Sequence, residues 1–186
     1  MKIYYTHAFN NNMESHRLLE QAIGRYLDKD SGGLISGLKT GELGKPYIEG
    51  FDGFSISHSE RTWAVLFDSS ECGLDIQYHK KLDYMPIAER WFHKDEVRRI
   101  SELKKKSDEE GLNEFFRIWT RREALVKAMG RSIVDSGLAS TLPDSVNIEG
   151  SFWHIIDLEV PETENVSAAV CVSSPDEVEW INLSEE

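Results

Sequence analysis

Apolar positions recur along the chain in two rhythms. Between Glu14 and Asp28, Leu18, Leu19, Ala22, Ile23, Tyr26 and Leu27 return at steps of three and four, which predicts an amphipathic helix. Further helices are predicted at Met85–Phe92 and Lys94–Lys105, and a long one from Leu112 to Met129, with Gly130 suited to its end. Short apolar or alternating runs predict strands at Lys2–Tyr5, Phe54–His58, Trp63–Phe67 and Cys72–Tyr78, the last two joined by Asp68-Ser69-Ser70. Three more are predicted at Ser151–Leu158, Val166–Val172 and Val178–Ile181. The Gly-rich stretch Ser31–Gly53, centred on Gly44-Lys45-Pro46, reads as loop. This order predicts an α+β fold of two pseudo-equivalent halves, residues 1–72 and 73–186, each a helix on a small, mostly antiparallel sheet.

A chain of 186 residues buries roughly 68–75% of its unfolded surface without staples. Its 40% hydrophobic and 10% aromatic content excludes wholesale disorder. No run approaches the ~20 apolar residues of a membrane span, so no membrane association is expected. Met1–His7 has neither the apolar core nor the cleavage site of a signal peptide, so a cytoplasmic protein is expected. Cys72 and Cys171 sit in apolar segments and read as reduced core thiols; a disulfide or a two-thiol metal site is the less favoured alternative.

The net charge of −12 argues against a general nucleic-acid binder. Its distribution says more. Ser132–Glu186 holds twelve acids and no Lys or Arg, whereas Lys80–Arg131 holds fourteen bases against ten acids. By charge alone the basic stretch is a solvated helical surface.

Four segments carry candidate chemistry. In the long helix Leu112, Phe115, Phe116, Trp119, Glu123 and Val126 share a face, which puts a carboxylate beside core residues. Lys127 follows one turn on, so an ordinary (i, i+4) pair at the core rim explains the pattern equally well. In Cys72–Tyr78, Asp75 and Gln77 point to one side of a strand and offer two oxygens, which suits Mg²⁺ or a plain polar face. His58 shares a face with Phe54 and Ile56 and reads as a core-edge histidine. A Ser-His-Asp triad with Asp75 fails because no nucleophile-elbow glycines surround a serine. Gly44-Lys45-Pro46 is a turn, or a place where Lys45 and backbone N–H groups meet a phosphate; it lacks the Walker A spacing.

Taken in order, Gly44-Lys45-Pro46, Phe54-Ser55-Ile56-Ser57-His58-Ser59, Gly73-Leu74-Asp75-Ile76-Gln77 and Trp119-Thr120-Arg121-Arg122-Glu123-Ala124-Leu125-Val126-Lys127 resemble the 4′-phosphopantetheinyl transferases of the surfactin-synthetase type. Glu14-Ser15-His16-Arg17 and Arg90-Trp91-Phe92-His93-Lys94-Asp95-Glu96 extend the likeness over residues 14–134. The resemblance implies an enzyme that moves the phosphopantetheine arm of coenzyme A to a serine of an apo-carrier protein, releasing adenosine 3′,5′-bisphosphate. A non-catalytic coenzyme A or carrier-binding module is the alternative.

By resemblance Asp75 and Glu123 are the principal Mg²⁺ ligands, with Gln77 beside them, so the site lies where the halves meet. Lys127 contacts the pyrophosphate, and Asp75, Glu123 and Lys127 carry catalysis, Glu123 also as base toward the carrier serine. Arg17, Lys45, Pro46, Ser57, His58 and Arg122 contact coenzyme A, His58 and Arg17 near its 3′-phosphate. Two departures stand out. Gln77 replaces a frequent Glu; its amide oxygen ligates Mg²⁺ without charge and cannot be a base. Arg122 replaces the usual Lys and keeps a cation there. The partner is an acidic carrier docking near Trp91, Phe92, Arg98 and Arg99, which fits the local excess of base. A monomer is expected.

Overall fold

The computed structural model describes residues 1–11, 13–28, 33–41, 44–131 and 138–185. Its first sheet has the order β10-β1-β5-β4, with β1 at Lys2–Thr6, β4 at Gly53–Ser59, β5 at Thr62–Asp68 and β10 at Glu179–Asn182. The second has the order β6-β9-β8-β7, with β6 at Cys72–Tyr78, β7 at Ser145–Ile148, β8 at Ser151–Leu158 and β9 at Val166–Val172. Pairing is antiparallel throughout both sheets except that β10 runs parallel to β1. The order strand, helix, hairpin occurs twice: β1, then α1 at Met13–Leu27, then β4–β5; and β6, then α4 at Asp108–Met129, then β8–β9. Between β6 and α4 stand α2 at Met85–Trp91 and α3 at Lys94–Lys104. The protein is an α+β fold, as the two rhythms predict.

Strand alternation assigns each face a separate core. Tyr4, Trp63, Val65 and Phe67 pack under Leu18, Leu19, Ala22 and Ile23 of α1. Ile3, Tyr5, Ala64 and Leu66 point to the opposite face and meet Leu74, Ile76, Ala168 and Val170 of the second sheet. Beyond that sheet, Ile155, Ala169 and Cys171 lie under Ala124, Leu125 and Ala128 of α4. The layers therefore run helix, sheet, sheet, helix. α2, α3 and the first half of α4 close a fourth core around Tyr84, Phe92, Ile100 and Phe115.

α4 is specified at both ends. Ser107 accepts from the Glu109 and Glu110 N–H groups, and Asp108, Glu109 and Glu110 sit at the positive end of the helix dipole. Gly130 closes the helix at φ 62°, a conformation glycine adopts without strain. The cap lies before the first apolar residue, which is why periodicity alone starts this helix at Leu112.

Three differences from the pattern reading have physical causes. The expected loop at 31–53 contains a 3₁₀ turn at Leu34–Gly37 and a hairpin of β2, Leu38–Thr40, with β3, Pro46–Ile48. Strands of three residues are too short to show alternation. β7 is likewise short and polar. β10 joins the first sheet only through its pairing with β1, a contact across 170-odd residues that local pattern does not encode. Residues 132–134, the end of the family likeness, lie outside the described residues.

Candidate active site

The site lies along the seam where β4, an edge of the first sheet, meets β6, an edge of the second. These two strands exchange no ladder hydrogen bonds. Instead, side chains satisfy the exposed edge of β6. Ser55 Oγ accepts from the Leu74 N–H at 2.9 Å, Ser57 Oγ from the Ile76 N–H at 3.1 Å and Ser59 Oγ from the Tyr78 N–H at 3.0 Å. Lys45 Nζ donates to the Cys72 carbonyl at 3.1 Å and Lys127 Nζ to the Leu74 carbonyl at 3.0 Å. The three serines recur at the two-residue period of one strand face, and that spacing was visible in the sequence. Its purpose was not, because nothing local shows that the face meets a second sheet edge-on.

Asp75 points from β6 toward α4. Its Oδ1 accepts from Lys127 Nζ at 2.7 Å and from Ser57 Oγ at 3.0 Å, and the residue is 7% exposed. Gly73 makes this approach of strand and helix feasible. A side chain there would run into the backbone of Ala124 and Ala128. One turn of α4 then presents Glu123 and Lys127 beside Asp75. The expected Glu123–Lys127 pair is replaced by Asp75–Lys127, because Asp75 reaches the ammonium from a second element. Burial holds the Glu123 carboxyl above its ordinary range, the Asp75 charge adds to the rise, and Lys127 opposes it.

A cavity of about 380 Å³ opens over this arrangement, lined among others by Lys45, Pro46, Ser55, Ile56, Glu123 and Lys127. A neighbouring one of about 680 Å³ shares Lys45, Pro46 and Gly130 with it and extends over Tyr47, Phe51 and Phe54. Both fall within the size range of small-molecule sites. Lys45 and Pro46 come from the β2–β3 hairpin, with Gly44 at φ 88° in its turn.

Other expected residues go elsewhere. His58 faces the α1 side, where its exposed ring lies against Phe9 at 5.1 Å between centroids. Arg17 is exposed and lines a separate cavity of about 230 Å³ with Thr6, Gln21 and Ser184. His58 and Thr6 both register with Trp63, so Arg17 and His58 lie on the same side of the first sheet, around the β4 edge from Asp75. Gln77 donates Nε2–H to Ser59 Oγ at 3.3 Å and to the Tyr78 carbonyl at 3.1 Å.

Two expectations are corrected. Arg122 is 2% exposed and bonds Glu96 Oε2 at 2.9 Å and the Trp91 carbonyl at 2.9 Å, so it ties α4 to the α2–α3 junction and does not line the cavity. Glu96, fully buried, also takes the Thr141 N–H and hydroxyl. Its importance was missed; the signal was a Glu three residues after His93, the capping-box spacing. Phe92 is core, stacked on Phe115 at 5.3 Å, and cannot dock a partner. Trp91 is half-buried, with the Arg90 guanidinium over its ring at 4.7 Å.

The donors fit a hard divalent cation. Asp75 and Glu123 are close enough to raise the proton affinity of Glu123, which is the repulsion such an ion relieves, and every candidate donor is an oxygen. Among the described residues no three His, Cys, Asp or Glu gather as a metal cluster. Cys72 and Cys171 are free, buried and far from reactive, since burial pushes both thiols up to about 12.

Paired carboxylates flanked by lysines lie beside a ligand-sized cavity, an arrangement that fits phosphorylated substrates and a divalent cation. Comparison with known proteins narrows this. Residues 71–171 match the model of the 4′-phosphopantetheinyl transferase superfamily. The 4′-phosphopantetheinyl transferase Sfp of Bacillus subtilis strain 168 is 28% identical over 195 residues, covering 94% of this chain and 82% of that one. The 4′-phosphopantetheinyl transferase AcpT of Salmonella typhimurium is 32% identical over 140 residues, covering 73% and 66%, and that of Escherichia coli O157:H7 30% over 151 residues, covering 76% and 71%. The chain belongs to the 4′-phosphopantetheinyl transferase superfamily.

Proposed function

We propose that this transferase moves the phosphopantetheine arm of coenzyme A to a serine of an acidic carrier protein at the β4–β6 seam, with Asp75 and Glu123 holding Mg²⁺. The observation that carries this reading is the convergence of three separate motifs, on β4, β6 and α4, at one carboxylate–lysine cluster beside a cavity.

The chemistry makes and breaks one bond each. The carrier serine oxygen bonds to the phosphorus that bears the pantetheine arm, and the phosphoanhydride bond to adenosine 3′,5′-bisphosphate breaks. Negative charge grows on the leaving phosphate. Lys127 supplies a compact cation there, and Lys45 a second at the cavity mouth. Asp75 and Glu123 would hold Mg²⁺, with the Gln77 amide oxygen as a neutral donor, and the ion when bound would supply charge neutralisation for the pyrophosphate. Glu123, beside the cavity, takes the proton of the serine hydroxyl. His58 and Arg17, on the α1 side, receive the 3′-phosphate end of a coenzyme A wrapped over the β4 edge. Trp91 and Arg98 belong to the carrier-facing surface, and the enzyme works as a cytoplasmic monomer.

Incubation with coenzyme A, Mg²⁺ and an apo-carrier protein, followed by intact mass, tests the reading. The carrier gains one phosphopantetheine. An unmodified carrier across a panel of apo-carriers, with coenzyme A still bound, would make this a binding module instead.

A further inference from the structure

We infer that Arg131 is a further contact to the pyrophosphate of coenzyme A, and that Glu149 occupies its guanidinium until the ligand displaces it. This deepens the reading above and rests on it.

The end of α4 sets the position of Arg131. The Gly130 N–H donates to the Lys127 carbonyl at 3.3 Å, and the Arg131 N–H to the Val126 carbonyl at 2.8 Å. These bonds close the helix and fix where the chain leaves it. Arg131 follows Lys127 by four residues and lines the same cavity of about 380 Å³, which Lys45 enters from the β2–β3 hairpin. The charged lining of this space is Lys45, Lys127 and Arg131 against the single carboxylate of Glu123. That balance suits an anion.

The three cations are bound differently. Lys45 donates to the Cys72 carbonyl, and Lys127 to the Leu74 carbonyl and the Asp75 carboxylate, all groups of β6. Arg131 pairs with Glu149, from the tip of the β7–β8 hairpin. Both members of that pair are solvated, the Glu149 side chain at 71% exposure and that of Arg131 at 36%. An ion pair in water is worth little, so a phosphate exchanges for the carboxylate at small cost. The guanidinium fork also matches two phosphate oxygens at once. Glu149 is kept beside Arg131 by its own turn. β7 and β8 pair up to Ile148 and Ser151, which leaves Glu149 and Gly150 as the two-residue connection, at φ 54° and 87°. The Asn147 carboxamide oxygen accepts from the Gly150 N–H at 3.1 Å. The carboxylate is therefore a standing competitor for the guanidinium.

Calorimetry of coenzyme A binding is the test. Losing a charge-assisted contact costs about 10- to 100-fold, so Arg131→Ala should weaken the Kd by at least about tenfold. If Arg131→Ala melts early, Arg131→Met, which keeps the apolar stem, reads the same loss. Glu149→Gln keeps the size of the side chain, removes the competing charge and should tighten the Kd by about two- to threefold. Added to Arg131→Ala, Glu149→Gln should change nothing, because the group it competes for is gone. 3′-Dephospho-coenzyme A should suffer the same fold-loss in Arg131→Ala, since the contact is to the pyrophosphate. A Kd within about twofold of the parent in Arg131→Ala, alongside a crippled Lys127→Ala, would overturn the proposal alone. Weaker binding in Glu149→Gln would overturn the competition and make the pair a prop of the cavity wall. A loss confined to the ligand that carries the 3′-phosphate would overturn the assignment to the pyrophosphate. A parent protein that binds no coenzyme A would overturn the site assignment and this contact together.

Discussion

Glu123 is the least comfortable side chain of the site. Burial first, then the charge of Asp75, raises its proton affinity above that of an ordinary glutamate. A carboxyl whose folded-state pKa is raised adds stability in its protonated form; that contribution is present at low pH and is lost as pH rises through the raised value. At neutral pH the ionised group is therefore a net strain, which Glu123→Gln removes. Melted at pH 7 in chelator, Glu123→Gln should be at least as stable as the parent while transfer falls at least ~100-fold. A less stable or fully active variant contradicts the placement. Gln77→Glu adds a third carboxylate and should lower the Mg²⁺ concentration giving half-maximal rate, read by titration; a higher requirement would show that residue 77 does not face the ion.

The helices and long strands were legible because their periodicity and caps are local. Gly73 shows where local reading stops. Its motif position was evident, but the reason for glycine is the backbone of α4 pressed against β6. Gly73→Ala must push the two apart, a cost of about 1–3 kcal/mol that should appear as a drop of several degrees in melting temperature, with activity lost as Glu123 and Lys127 retreat from Asp75. An unchanged melting point would contradict the close packing. The carboxylates and Lys127 were readable as a set only through the resemblance, since Asp75 lies on β6 and Glu123 and Lys127 on α4. Arg122 was read as a coenzyme A contact because the resemblance puts a cation before Glu123, and only the fold reveals buried Glu96 as its partner. The seam was invisible because it joins two edges by side chains, with no pairing pattern to read.

Charge divides the molecule. The excess of base lies in Lys80–Arg131, and all twelve acids beyond it lie in a segment with no base. The acidic carrier proposed above would be steered toward the former and away from the latter. The two candidate arginines are not equivalent. Arg99 pairs with Glu114, which is buried and also held by Arg117, so its replacement disturbs the α3–α4 joint. Arg98 is exposed and pairs only with the nearby Asp95 among the described residues. Arg98→Glu should raise the KM for carrier, with a defect that shrinks as salt rises because screening acts over about 8–10 Å, and should leave the KM for coenzyme A unchanged. A defect in coenzyme A alone would put the carrier surface elsewhere. The most direct test of the account is the rate of phosphopantetheine attachment to an apo-carrier, by intact mass, for the parent and Asp75→Ala at saturating coenzyme A and Mg²⁺. The site at the seam predicts a loss of at least ~100-fold in a variant that still melts cooperatively, and near-normal turnover would contradict it.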